Sequence, residues 1–460
     1  MGALALGLVA TALVVIDRPE QGGDSVDPAA PRTTGAPRYV TAVEPGGRYF
    51  VDQYGSPVLV RGDSPWSLLV DLSPAQAETY FRTRSAQGFN AVIVSLLGAT
   101  TNGGPSDDGT TFDGIAPFQH GDVLSWDDGY WARAHEYLER AAAHGITAFL
   151  YPVDGWTIGK VFAPTAPDDC REYGARVASW AADLPNVVWV VGGDYRPGTE
   201  ADPGPSEVDR CFDEVRSGIR SQGDGRPFSI QFGFGRRLST DSVFWAERVD
   251  WNFVYTYEPT YLAVRDARRA APGFPSLLGE TNYENENNDG GPPTTTATLR
   301  RQVLWALTSG SPGEFFGTSD WSFPDGWEER LGSEGALEVS MLRDVIERLR
   351  WWELAPDDAF VVSGQGTPAV AGTNTDVLAD DVVSAATDAD GTLALVFLPG
   401  PRPVTLDVAR LRPGWEATWV DPSSGAESAA GPGPEFAPPG RNATGDTDWL
   451  LVLKADAPHG

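Results

Sequence analysis

Asn186-Val-Val-Trp-Val-Val-Gly-Gly-Asp-Tyr-Arg-Pro197 contains five consecutive apolar residues, Val187 to Val191, with Pro185 before them and Gly192-Gly193 after. A short β-branched run bounded in this way reads as a strand buried on both faces, as in a parallel sheet. A carboxylate, Asp194, stands where the strand must stop. The two glycines before it allow a sharp turn and a close approach by a bulky neighbour. In a closed sheet of parallel strands, residues at the C-terminal strand ends face one common mouth. Asp194 therefore needs a partner at another strand end.

Working outward, the same unit recurs on both sides. Strands are expected at Pro57–Arg61, Asn90–Leu97, Ile146–Val153, 187–191, Pro227–Phe232, Trp251–Thr256, Pro275–Gly279 and Gly313–Gly317. A helical segment follows each, the first opened by Ser73 as N-cap with Pro74 behind it and the last running from Gly335 to Leu354. Strand–helix alternation without tight hairpins requires parallel pairing through crossovers, and eight units fit a (β/α)8 barrel better than a doubly wound sheet. Ahead of the barrel, Arg48–Asp52 and Gln53–Pro57 read as a β-hairpin lid. The long loops 98–125 and 283–293 are expected to wall the mouth.

Beyond Pro356 the pattern changes to short strands separated by Pro/Gly/Asp turns, among them Leu393–Leu398 and Trp449–Leu453, which predicts an all-β sandwich. The expected division is residues 1–37 as signal or anchor segment plus tether, 38–354 as barrel and 355–460 as sandwich. Ala3–Ile16 is short for a membrane span but suits the apolar centre of an export signal, and the Pro/Gly/Asp/Thr-rich 17–37 suits a tether. Any membrane association would run through this segment alone. Cys170 and Cys211 are the only cysteines. They are candidates for a disulfide in an exported chain, with two buried thiols as the alternative.

The 64 acidic against 34 basic side chains give a net charge of −30, which argues against nucleic acid or an anionic membrane surface as partner. Two cysteines and four scattered histidines offer no metal site, and no cofactor is expected. No histidine stands at a strand end where a serine or cysteine nucleophile could use it.

The partner for Asp194 is Glu280, at the end of the seventh strand. Two carboxylates across a barrel mouth are what glycoside hydrolysis requires, one protonated as acid and one ionised as nucleophile or base. Asp63, Asp154, Glu258 and Asp320 also stand at strand ends, as acceptors for sugar hydroxyls or as loop anchors. Trp66, Trp156, Trp321, Tyr255, Tyr257 and Gln231 lie at the same level as candidates for stacking on or hydrogen bonding to an oligo- or polysaccharide. The rival is a non-catalytic glycan- or matrix-binding protein in which the barrel is only a scaffold.

Several stretches together carry a family resemblance: Arg48-Tyr-Phe-Val-Asp-Gln-Tyr-Gly-Ser-Pro-Val, Gly62-Asp-Ser-Pro-Trp66, Arg84-Ser-Ala-Gln-Gly-Phe-Asn90, Gly192-Gly-Asp194 and Gly279-Glu280. They resemble the apiosidase-like barrels of glycoside hydrolase family 140. Trp351-Trp-Glu-Leu-Ala-Pro-Asp357 and Gly391-Thr-Leu-Ala-Leu-Val-Phe397 resemble the β-sandwich that commonly follows such a barrel, named for collagen binding. The resemblance covers about 48–455. It implies a retaining glycosidase with Asp194 as acid/base and Glu280 as nucleophile, acting on apiose or another furanoside. Related barrels more often carry Glu after Asn at the fourth strand, where this chain has Asp after Gly.

Overall fold

A computed structural model describes residues 36–98, 108–162, 166–196, 205–233, 237–286, 292–370 and 376–455. Eight parallel strands form the barrel: β1 (Val60–Asp63), β2 (Ala91–Ser95), β3 (Thr147–Tyr151), β4 (Val187–Tyr195), β5 (Phe228–Phe232), β6 (Asn252–Tyr255), β7 (Ser276–Glu280) and β8 (Gly313–Phe316). Their order is β5-β4-β3-β2-β1-β8-β7-β6, with Arg237–Leu238 added antiparallel outside β6. Serines bridge the remaining seam between β5 and β6. Ser239 Oγ accepts from Phe253 N at 2.8 Å and donates to Ile230 O at 2.6 Å, and Ser229 Oγ donates to Trp251 O at 2.8 Å.

The opening run is apolar throughout because both of its faces are covered. Val188 and Val190 point inward with Ile93, Phe149, Phe253, Leu277 and Phe315. Val187, Trp189 and Val191 point outward against the helical layer. The helix Pro74–Ala86 starts with a capping box in which Ser73 and Gln76 satisfy each other's backbone N–H groups.

The N-terminal hairpin is not a lid over the mouth. With Ala42–Val43 it makes a three-stranded antiparallel sheet, Ala42–Val43, Phe50–Val51 and Pro57–Val58. Phe50 packs edge-on against Phe149 and Trp251, and Val40 N donates to Thr147 Oγ1 at the first residue of β3. It therefore closes the N-terminal end of the barrel, because its one large apolar side chain is drawn into that open end of the core. The last barrel helix is also shorter than its sequence suggests. It spans Glu334–Glu347, and Trp351–Glu353 forms a separate 3-10 turn whose Trp351 packs on Tyr49.

The C-terminal part pairs a six-stranded antiparallel sheet with a three-stranded one. Leu393–Leu398 is buried along its whole length because it too is covered on both sides. Leu393, Leu395 and Phe397 join the barrel helices, whereas Ala394, Val396 and Leu398 face the smaller sheet. Arg300 of the barrel helix Thr296–Thr308 reaches Asp446 and Asp448 of the sandwich at 2.6 and 2.9 Å.

Cys170 and Cys211 are joined in a disulfide between the helices Pro167–Trp180 and Glu207–Ser221, with Cα atoms 5.5 Å apart. Gly174 and Gly218 let those helices touch backbone to backbone, since a Cβ on either would lie 2.1 Å from a carbonyl oxygen of the other helix. Among the described residues no helix is long and apolar enough to cross a membrane. The segment Ala3–Ile16 lies outside the described residues.

Candidate active site

Strand β4 does not end at Val191 but runs through a bulge to Tyr195, its register against β5 shifting between Gly192 and Tyr195. Gly192, Gly193 and Asp194 all have positive φ, at 99°, 78° and 50°. Side chains rarely adopt this conformation, and the first two positions have no room for one. A Cβ on Gly192 would lie 2.0 Å from Gln231 O, and one on Gly193 would lie 2.9 Å from the Trp156 ring. The close neighbours that the glycines admit are thus parts of the protein itself. The bulge lifts Asp194 out of the ladder and leaves its residue exposed at the mouth.

Glu280 is the last residue of β7 and is 6% exposed. Two donors converge on its carboxylate. Gln231 Nε2 makes a short hydrogen bond to Oε2, and the Tyr283 hydroxyl makes another. Behind them, Tyr151 Oη donates to Gln231 Oε1 at 2.6 Å and Trp66 Nε1 donates to Tyr283 Oη at 2.8 Å. Burial pushes Glu280 well above the usual carboxylate range, and the negative charge of Asp194 adds to it, while the two donors pull the other way. Tyr151 feels the charges of both Asp194 and Glu280, so the two carboxylates share one site. Tyr255 also feels both carboxylates, and its hydroxyl pairs with that of Tyr257 at 2.7 Å.

The structure separates the two roles left open for the other strand-end carboxylates. Asp63 is a buried anchor rather than a sugar acceptor, taking hydrogen bonds from Tyr80, from Arg84 Nε at 2.6 Å and from Ser64 N. Asp154 is fully buried and accepts from Ser95, Trp156 N and Thr157, so it holds the turn after β3, and burial raises it to about 6. Asp320 is engaged by Arg330 at 2.7 Å. Glu258 is buried. Trp66, Gln231 and Tyr255 are likewise buried, and Trp66 packs edge-on against Tyr151 and Trp156. They shape the site from behind. Trp156, Tyr257 and Trp321 remain half-buried against the inner barrel core.

One carboxylate of the site does not stand at a strand end. Glu286, six residues past β7, takes a hydrogen bond from Trp321, is raised by burial and adds negative charge around Glu280. The Asn/Glu/Asp character of its loop was visible, but nothing in the sequence separates the inward Glu from its solvated neighbours. Among the described residues no cluster of His, Cys, Asp and Glu could hold a metal ion.

A closed parallel barrel with two carboxylates from β4 and β7 at its mouth is the architecture of a glycoside hydrolase. The apiosidase-like catalytic-domain profile matches residues 44–353, and the chain belongs to that family. Its fold is similar to a crystal structure of a glycoside hydrolase family 5 protein from Bacteroides vulgatus, with TM-score 0.77 and 19% identity over 91% of this chain and 93% of that one. A second structure, described as a glycoside hydrolase, gives TM-score 0.74 and 17% identity over 91% and 97%. A third, a glycoside hydrolase structure also from Bacteroides vulgatus, gives 0.63 and 13% over 91% and 82%. No curated protein sequence matches this chain. The protein is a glycoside hydrolase, and a carbohydrate is its substrate.

Proposed function

We propose that the protein is an exported, retaining glycoside hydrolase that cleaves a furanoside such as apiose or arabinofuranose from a polysaccharide, with Glu280 as nucleophile and Asp194 as acid/base. The observation that carries the assignment is the pair of donors on Glu280. Tyr151 turns the Gln231 amide so that its Nε2, which can only donate, faces the carboxylate. The two donors favour the ionised carboxylate against the burial and the Asp194 charge that raise it, and the ionised form is the nucleophile. Asp194, on its exposed bulge, can exchange protons with solvent and with a leaving group.

In the first step the Glu280 carboxylate attacks the anomeric carbon. The glycosidic C–O bond breaks, and Asp194 gives its proton to the departing oxygen. In the second, Asp194 takes a proton from water, whose oxygen displaces Glu280 from the anomeric carbon and restores both carboxyl groups. The furanoside preference rests on the family, and export on the Cys170–Cys211 disulfide together with the apolar Ala3–Ile16.

The test is hydrolysis of aryl furanosides and pyranosides, apiosides and arabinofuranosides included, by wild type, Glu280→Gln and Asp194→Asn. Expected is turnover of a furanoside with net retention, reduced about 10³-fold or more in Glu280→Gln. Equal rates in the three proteins would remove this pair from the chemistry, and turnover of pyranosides alone would remove the furanoside preference.

A further inference from the structure

We infer that Glu286, held by Trp321, accepts hydroxyl groups of the sugar that enters between Glu280 and Asp194, and that it confines the site to uncharged glycosides. The inference rests on the preceding assignment of that pair.

The main chain around Glu286 is fixed from both sides of its loop. Its N donates to Tyr283 O at 3.1 Å, and its carbonyl accepts from Thr294 N and Thr294 Oγ1 at 3.0 and 2.7 Å. Asn285 before it adopts a left-handed φ of 63°, a cost that nearby bonds must offset. Two of them belong to Glu284, whose N donates to Gly317 O and whose Oε1 accepts from Gly335 N, both at 2.8 Å. The backbone of Glu286 is therefore placed, and its carboxylate is held by the indole of Trp321, whose own N donates to Thr318 O at 3.2 Å.

A carboxylate accepts about four hydrogen bonds, so the Trp321 N–H does not by itself saturate it. The neighbours of this carboxylate are a half-buried indole and the Glu280 site, which together offer an apolar ring face and an acceptor to one sugar ring. A uronic acid in the same place would bring its own negative charge against the carboxylates of Glu280 and Glu286 in a partly desolvated site.

The experiment compares wild type, Glu286→Gln, Trp321→Phe, the double variant and Glu280→Gln on neutral aryl glycosides and the matching aryl uronides. Gln can still accept the indole N–H, so loop structure and unfolding midpoint are expected to hold. The kcat/KM on the best neutral glycoside should fall about 10- to 100-fold, with a smaller preference over the uronide. A merely structural Glu286 would not move that preference. Trp321→Phe should cost part of the same factor and the double variant less than the product of the two, because the residues act as a unit. Wild-type kinetics and unchanged neutral-over-uronide preference in Glu286→Gln, with Glu280→Gln inactive, would overturn this inference alone. Full activity in Glu280→Gln, or a wild type that hydrolyses nothing in the panel, would overturn the assignment beneath it and this inference too.

Discussion

Tyr151 Oη donates to Gln231 Oε1 at 2.6 Å, and this bond decides which end of a buried amide faces Glu280. Without it the amide could turn and present its oxygen to the carboxylate, replacing a donor by a repelling acceptor. Tyr151→Phe keeps the ring that packs on Trp66 and removes only that control. The expected result is a loss of about 10- to 100-fold in kcat/KM with a stability change of only about 1 kcal/mol. The acid limb of the pH–rate profile should also move upward, because a donor that favoured ionised Glu280 is no longer held in place. Steady-state kinetics across pH, beside denaturant unfolding, separates this from a folding defect.

The raised ionisation range of Glu280 predicts a trade between stability and activity. An acid whose folded value lies above its unfolded value makes no net contribution at low pH, where both states are protonated. Stability is then lost as pH rises through the ordinary glutamate range toward the raised folded value. Glu280→Gln removes the titration while keeping the shape. The variant should unfold at a higher temperature than wild type at neutral pH, and the gap should close as pH falls below the ordinary glutamate value of about 4.3. A gap that persists in acid would mean that packing, not charge, is responsible.

The same carboxylate should respond to its neighbour. With an activated aryl leaving group the first chemical step needs little acid help, so Asp194→Asn remains measurable on that substrate. Removing the Asp194 charge takes away the second largest cause of the upward shift of Glu280. The acid limb of kcat/KM in Asp194→Asn should therefore lie at lower pH than in wild type. An unmoved limb would show that the two carboxylates are not electrostatically joined.

Which parts of this were legible follows from where each signal resides. The barrel could be read because strands covered on both faces leave uninterrupted apolar runs, as in 187–191, and because Asp194 and Glu280 end such runs. Whether Asp63 and Asp154 accept sugar hydroxyls or anchor loops could not be read. What makes anchors of those two is Arg84 and Ser95, 21 and 59 residues away, and such pairings exist only after folding. Gln231 was singled out as a sugar ligand because strand position does not reveal that its amide is spent between Tyr151 and Glu280. The hairpin Phe50–Val58 was placed at the wrong end, since alternation identifies a strand pair but not the end of the barrel that needs filling.

The Gly192–Asp194 bulge predicts a variant with an outsized effect on rate. Gly192→Ala must place a Cβ against Gln231 O at a φ of 99°, which strains the backbone and pushes on the strand that carries Gln231. The left-handed conformation alone costs about 1–2 kcal/mol per residue. Expected are a stability loss of at least this size and a further fall in kcat from displaced Asp194 and Gln231, where a 1 Å misplacement can cost about 10²-fold. Activity that falls only in proportion to the folded fraction would show that the bulge is structural and not a positioning device.

At the seam between barrel and sandwich, Arg300 is fully buried and divided among Glu338 at 2.6 Å, Asp446 at 2.6 Å and Asp448 at 2.9 Å. Asn442 adds a 2.9 Å bond to Asp448, so the acid is fixed from the sandwich side as well. Removing one member of a buried ion cluster leaves charges without compensation, which costs about 3–5 kcal/mol. Arg300→Met keeps most of the aliphatic volume and should show that loss at neutral pH. The stranded Glu338, already raised by burial, would lose the Arg300 partner that pulls it down, so its penalty grows as pH rises through the ordinary carboxylate range and is absent below it. Denaturant unfolding at pH 7 and about pH 4 should accordingly give a smaller deficit in acid. The sandwich also stays tied to the barrel through Tyr261 Oη to Asp380 and Trp305 Nε1 to Val382 O, both at 2.9 Å. Unfolding of Arg300→Met should therefore remain a single transition. Two separated transitions would instead identify Arg300 as the contact that makes barrel and sandwich one cooperative unit.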